Sequence, residues 1–164
     1  MVVESIERRN TRSGSKFANG DTLFARITPC LENGKTGFVD FLERGCAGLG
    51  STEFVVMRGR AVPATFVQLL ARNKTFRANA IKSMSGATGR QRVRRESLEQ
   101  FKLPLPPVAL LKDFDNAVTP MFRAVRALAN QNVNLRAQRD LLLPKLISGE
   151  IEVADDAPMM EAAE

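Results

Sequence analysis

The stretch LKDFDNAVTPMFRAVRALANQNVNLRAQRDLL, residues 111–142, decides the fold. Positions 111, 114, 118, 121, 125, 128, 132, 135, 139 and 142 follow one another in alternating steps of three and four, which is the seam of a heptad helix. With Leu111 at position a, the a set is Leu111, Val118, Val125, Asn132 and Arg139, and the d set is Phe114, Met121, Leu128, Leu135 and Leu142. Every d position is apolar. A helix of about 35 residues is near 50 Å long at about 1.5 Å per residue, which exceeds a small domain, so its seam is expected to meet another long helix. Asn132 and Arg139 lower stability at their a positions and in return specify register or orientation. Pro120 removes one helical hydrogen bond and predicts a kink near residues 116–119, and Pro144 is expected to end the helix.

Working outward, LPLPP at residues 103–107 carries three prolines that forbid helix, so residues 104–107 read as a linker and 1–103 as a separate domain. Within that domain TLFARIT (22–28) places Leu23, Ala25 and Ile27 on one side of a strand and Phe24 and Arg26 on the other. Two more strands are expected over 36–42 and 52–57. From Pro63 the period changes to helical, through Phe66, Val67, Leu69, Leu70, Phe76, Ala80 and Ile81, with an interruption near Asn73. Residues 83–89 (SMSGATG) form a small-residue loop that opens directly onto the basic run 90–95. Residues 1–19 show no period and read as an irregular arm; past Pro144 a C-terminal segment runs to residue 153, and 154–164 read as a disordered acidic tail. The expected class is α+β, a mixed domain of strands and helices followed by one long coiled-coil helix.

Composition narrows the chemistry. The 164 residues are 44% hydrophobic and 26% charged, as in a globular protein, and no apolar run approaches the roughly 20 residues a membrane span needs. Histidine is absent, which removes Ser-His-Asp and Cys-His catalysis and every metal site that needs imidazole. Cys30 and Cys46 are isolated thiols without a C-x-x-C spacing, suited to a reducing cytoplasm, and the polar N-terminus has no apolar signal segment. Residues 45–52 (GCAGLGST) approach a phosphate-cradling loop, with Gly45, Gly50 and Thr52 in place, but Ser51 stands where its lysine must be, so they read as a plain connection. Asp21, Glu32, Asp40 and Glu43 read as scattered surface acids rather than a metal cluster. No active site, cofactor or metal is expected.

Charge is unevenly spread. Residues 1–103 hold 18 Lys and Arg against 9 Asp and Glu, while residues 104–164 hold 6 against 9. The stretch 71–95 has eight cations and no acid, a footprint for a polyanion or else a solvated basic face.

Five segments, in order, resemble one family: GDTLFARITPCLENGKTGFV (20–39), STEFVVMR (51–58), SMSGATGRQRV (83–93), LPLPP (103–107) and RDLLLPKLISGEIEV (139–153). Together with the heptad helix they are similar to the specificity subunit of type I restriction-modification systems. The resemblance implies a target-recognition domain that binds double-stranded DNA, followed by a spacer helix, in a subunit that usually repeats this unit twice with its helices antiparallel. It also implies no catalysis of its own: methyltransferase and restriction subunits act where this subunit directs them. Against that pattern the chain is expected to be half-length and to begin inside a partial recognition domain. The two-helix arrangement would then come from a homodimer or from pairing with another half-subunit, and an assembly module that no longer binds DNA is the alternative.

On this reading the DNA-contacting candidates are Thr88, Arg90, Gln91, Arg92, Arg94 and Arg95, with Lys82, Lys35 and Arg26 as secondary ones. Arg and Gln suit bidentate contact with guanine and adenine, and cations suit phosphates. If residues 90–95 are extended, Arg90, Arg92 and Arg94 share one face; the competing structural use of the arginines is pairing with Glu96 and Glu99. A general RNA-binding role is disfavoured, because there is no Tyr or Trp and the ten Phe mostly fall at apolar-periodic positions. The heptad seam makes a direct prediction. Changing Leu128 and Leu135 together to Ala removes about 2 to 5 kcal/mol each and should dissociate a self-paired helix in sedimentation velocity, whereas a wild-type monomer would mean that the seam waits for a different partner.

Overall fold

The computed structural model describes residues 13–87 and 89–152, so the expectations for Thr88, for most of the N-terminal arm and for the acidic tail lie outside the described residues. Three strands form where the sequence reading placed them: β2 (Thr22–Ala25), β3 (Thr36–Phe38) and β5 (Phe54–Met57), after a further strand β1 (Ser15–Phe17). They make an antiparallel sheet of order β3-β2-β5. All four residues of the central strand are buried. One face of it turns Phe24 towards Leu31, Ala71, Phe76, Ala80 and Val93, and the other turns Leu23 towards Phe17, Val39 and the partly buried Phe54 and Val56. Burying a Leu or Phe side chain contributes about 1.5 to 3 kcal/mol each, so a strand covered on both faces holds two small cores together. The class is α+β.

Two strands depart from the expectation. β1 lies in the arm read as irregular, and it pairs antiparallel with β4 (Gly48–Gly50), which lies in the glycine-rich stretch read as a plain connection. Three-residue strands carry no readable period, and glycine is a poor strand former. The glycines are explained by packing: a Cβ on Gly48 would run into the Phe17 ring, and one on Gly50 would lie 3.1 Å from the rings of Phe17 and Phe54. What resembles an incomplete phosphate loop is a seat for an aromatic side chain.

Two helices cover the first core, α1 (Ala64–Arg72) and α2 (Lys74–Lys82). The break between them is Asn73, whose side-chain oxygen accepts from the N–H groups of Thr75 (2.9 Å) and Phe76 (3.1 Å) and caps α2. A short helix α3 (Arg95–Glu99) was not anticipated. The long helix α4 (Val108–Ile147) passes through Pro120 and runs beyond Pro144, which corrects the expected stop there. Proline forfeits the bond that its own nitrogen would donate and crowds the carbonyl four residues back, but its own carbonyl remains an acceptor. The Pro144 carbonyl still accepts from Ser148 N–H at 3.0 Å, and the chain leaves the helix at Gly149, with φ of +74°. No helix among the described residues is long and apolar enough to cross a membrane.

By contacts the chain falls into two units, the first ending at Arg126 and the second starting at Ala127. The prolines at 104–107 precede α4, yet residues 108–126 of that helix dock within the first unit. Leu111 is buried, and the Phe114 and Phe122 rings meet Phe66 (5.8 Å) and Phe38 (5.1 Å) edge-on. Asp115 accepts from Thr65 (3.0 Å) and Thr119 (2.7 Å), and Arg126 pairs with Asp40 while standing 5.6 Å over the Phe41 ring. Leu111 and Phe114, assigned to a partner seam, are therefore used inside the unit, with Val118 half-buried. Met121 and Val125 are exposed. In the second unit Leu128, Asn132, Leu135 and Leu142 are all exposed.

Asp21 and Asp40, read as scattered surface acids, are both ion-paired, and Asp21 is only 1% exposed. Its oxygens accept from Arg58 Nε and Nη2, each at 2.6 Å, and from the Ala18 N–H at 2.8 Å. Burial alone would raise its pKa, but the Arg58 hydrogen bonds, the Ala18 N–H and the Arg58 charge outweigh it and hold the carboxyl below its usual 3.8. A depressed carboxyl contributes stability above its unfolded value and loses it as pH falls through the folded one. Asp21→Asn should therefore cost about 1 to 3 kcal/mol in urea melts at neutral pH, and the gap to wild type should narrow as pH falls below the usual carboxylate range.

Candidate nucleic-acid interface

The basic run 90–95 forms an arginine arm laid against the end of β2. Ser85 and Arg92 exchange backbone hydrogen bonds of 3.0 and 2.9 Å, which close the small-residue loop, and Gly86 and Gly89 turn it with φ of +123° and +81°. Ile27 and Arg92 form a second bridge, the Val93 N–H donates to the Arg26 carbonyl at 2.8 Å, and Thr28 N–H donates to the Gln91 carbonyl at 3.1 Å. Gln91 N–H donates back to the Thr28 hydroxyl at 3.1 Å. Val93 is buried in the core while Arg92 and Arg94 are exposed, the alternation of an extended segment, and Arg94 has extended φ and ψ of −77° and 125°. Arg95 leaves that pattern as the first residue of α3.

The arginines differ in what they have left to offer. Arg92 is held by Glu53: its Nε lies 3.0 Å from both carboxylate oxygens and its Nη2 2.7 Å from one. The Arg92 hydrogen bonds, against a smaller burial effect and with added pull from the Arg92 and Arg26 charges, draw the Glu53 pKa down, and Glu53 in turn raises that of Arg92. Glu53 thus takes the place expected for Glu96 and Glu99, neither of which pairs with an arginine of this run among the described residues. No local sequence signal shows this. The pair is 39 residues apart and arises because β5 begins and the arm ends on the same side of β2, with Arg26 N–H donating to the Glu53 carbonyl at 3.0 Å.

Arg94 donates weakly to Ser85 Oγ at 3.3 Å and, with Lys82, Ser83, Glu96, Ser97 and Gln100, lines an open hollow of about 510 Å³. Arg90 and Lys35 are exposed, and no carboxylate pairs with either among the described residues. Arg26 is half-buried, with its Nε enclosed and unpartnered. The fold therefore joins Arg26, Gln91 and Arg92 at one patch and places Lys82 and Arg94 on one hollow. Lys35 sits on the loop 29–35, which is tied to the same patch through the Leu31 N–H bond to the Ile27 carbonyl at 3.0 Å. Arg77, visible in the sequence only as one cation among eight, serves the fold, because its Nη2 donates to the carbonyls of Leu31 (2.9 Å) and Glu32 (3.0 Å).

No family model matches the sequence. Among curated proteins, the specificity subunit of the type I restriction enzyme EcoAI from Escherichia coli is 35% identical over 94 residues, which are 56% of this chain and 16% of that protein. The specificity subunit of the type I restriction enzyme EcoEI, from the same organism, is 33% identical over 93 residues, with the same shares of the two chains covered. The chain thus spans well under a fifth of the length of either. Over that stretch it is a sequence relative of type I restriction specificity subunits.

Proposed function

We propose that this chain serves DNA recognition, without catalysis, in a type I restriction-modification system. The observation that carries the reading is the likeness to two specificity subunits, and the exposed Arg90, Arg94 and Arg95 on a rigidly seated arm fit it. Phosphate contacts from such side chains position a duplex in a salt-dependent way, while amide and guanidinium groups read base edges. On this reading double-stranded DNA and the methyltransferase and restriction subunits are its partners in the cytoplasm. Its candidate contacts are Arg90, Gln91, Arg94 and Arg95, with Lys82, Lys35 and Arg26 beside them and Arg92 restrained by Glu53. Thr88 is carried forward from the sequence alone.

A second reading, an assembly module that does not hold DNA, is favoured by one observation: Leu128, Leu135 and Leu142 are exposed on one helix. Gel-shift assays separate the two, since assembly alone predicts a complex with the methyltransferase subunit that retains no duplex.

Two outcomes are expected of salt titrations on duplex DNA with that subunit present. Arg90→Ala with Arg94→Ala should reduce the magnitude of the slope of log affinity against log salt by about 2, near 0.9 per phosphate contact; an unchanged slope and affinity would leave these arginines as a surface face. Glu53→Gln should release Arg92 and steepen the slope by up to about 0.9, and an unchanged slope would show that Arg92 cannot reach the duplex even when freed.

A further inference from the structure

We infer that the loop of residues 29–35 is a second DNA-reading element beside the arginine arm, and that Arg77 is the positioning residue that holds it there. The inference deepens the proposed DNA reading and depends on it. The loop is built more rigidly than a link between β2 and β3 requires. Its backbone closes on itself, with the N–H groups of Asn33, Gly34 and Lys35 each donating at 2.9 Å, to the carbonyls of Pro29, Leu31 and Cys30. Leu31 anchors it in the core at 1% exposure.

From the other side Arg77 clamps the two carbonyls of Leu31 and Glu32. Gly34, at φ of +71°, passes so close that a Cβ there would lie 3.1 Å from the Arg77 guanidinium. The Arg77 Nε is enclosed without a hydrogen-bond partner, an unfavourable state accepted for the sake of the clamp.

What the clamp presents is a set of unused polar groups. Glu32, Asn33 and Lys35 are exposed, and their side chains make no hydrogen bond among the described residues. The asparagine amide suits the paired donor and acceptor of adenine, the ammonium suits guanine or a phosphate, and the carboxylate accepts from the cytosine amino group. Reading base edges requires such groups to be held still, because sites on loops are only as accurate as the shell that supports them. The root of this loop is joined to the root of the arm by the two Thr28–Gln91 hydrogen bonds and the Ile27–Arg92 bridge, so both elements meet a duplex as one edge. Exposed cations without carboxylate partners, Lys35 here and Arg90 on the arm, favour a polyanion over a protein surface.

The test is selection from a random duplex library by the full chain assembled with the methyltransferase subunit. Asn33→Ala should relax the preference at one base-pair position about tenfold, and Arg77→Lys, which offers a single ammonium to two carbonyls, should weaken preference at that same position. Gly34→Ala, which drives a Cβ towards the clamp, is the second probe of Arg77 should the lysine variant fail to fold. Retention of DNA by Asn33→Ala and Lys35→Ala with unchanged affinity and an unchanged selected sequence would overturn the inference and leave the DNA reading intact. Loss of methyltransferase co-purification with an unchanged selected sequence would overturn it in favour of a subunit contact. Failure of the wild-type assembly to retain any duplex would overturn the DNA reading itself, and the inference with it.

Discussion

Strand β2 is buried on both faces, and the parts of the first unit that bear on function are attached to it or to the residues that follow it. Phe24 fixes the helical layer through Phe76, whose ring centre lies 5.6 Å away, and Leu23 fixes the ribbon of β1 and β4 through Phe17. The chain that continues from Ala25 is then at a set height and direction, and it is there that Arg26, Ile27 and Thr28 receive Val93, Arg92 and Gln91. An arm of arginines has no reason of its own to be ordered, since its charges repel one another. It is ordered because Val93, between two of them, is 1% exposed and contributes burial that outweighs the repulsion.

Much of this was legible in the sequence, for reasons that differ from one element to the next. β2, β3 and β5 announce themselves by apolar residues between turn signals, and α4 by a repeat sustained over five heptads, so pattern alone suffices. The helix break at Asn73 was visible because a capping side chain is a local device. β1 and β4 were not visible: each is three residues long, and β4 is mostly glycine, chosen for the space it leaves under Phe17. The true partner of Arg92 was hidden for another reason. Glu96 and Glu99 are near in sequence, but Glu53 is near in space, and only the strand pairing reveals that.

The long helix shows why a heptad seam underdetermines its partner. An α-helix repeats every 3.6 residues and a heptad every 3.5, so a straight helix gradually rotates an unbroken seam, and successive apolar residues need not serve one neighbour. Leu111 and Phe114 are taken up by the unit that contains them, and from Phe122 to Arg126 the docking positions are no longer those of the seam. From Met121 onward the a and d side chains are exposed. The same repeat that called for a second helix along its whole length therefore leaves that need only over its later turns.

A count of cations overstates what the surface offers to a polyanion. Four arginines of the first unit act as internal clamps: Arg58 on Asp21, Arg77 on the carbonyls of Leu31 and Glu32, Arg92 on Glu53 and Arg126 on Asp40. Arginine suits that work because its planar fork satisfies two acceptors at once and keeps its charge at any ordinary pH. Each clamp joins segments distant in the chain, so these residues are charged for the sake of the fold. Of the cations left exposed without a carboxylate, five, Lys35, Lys82, Arg90, Arg94 and Arg95, lie on loop 29–35 or between the end of α2 and the start of α3. Two of the clamps, Arg77 on loop 29–35 and Arg92 in the run 90–95, fix the segments that carry Lys35, Arg90 and Arg94, and placement rather than total charge is what a base-reading surface needs.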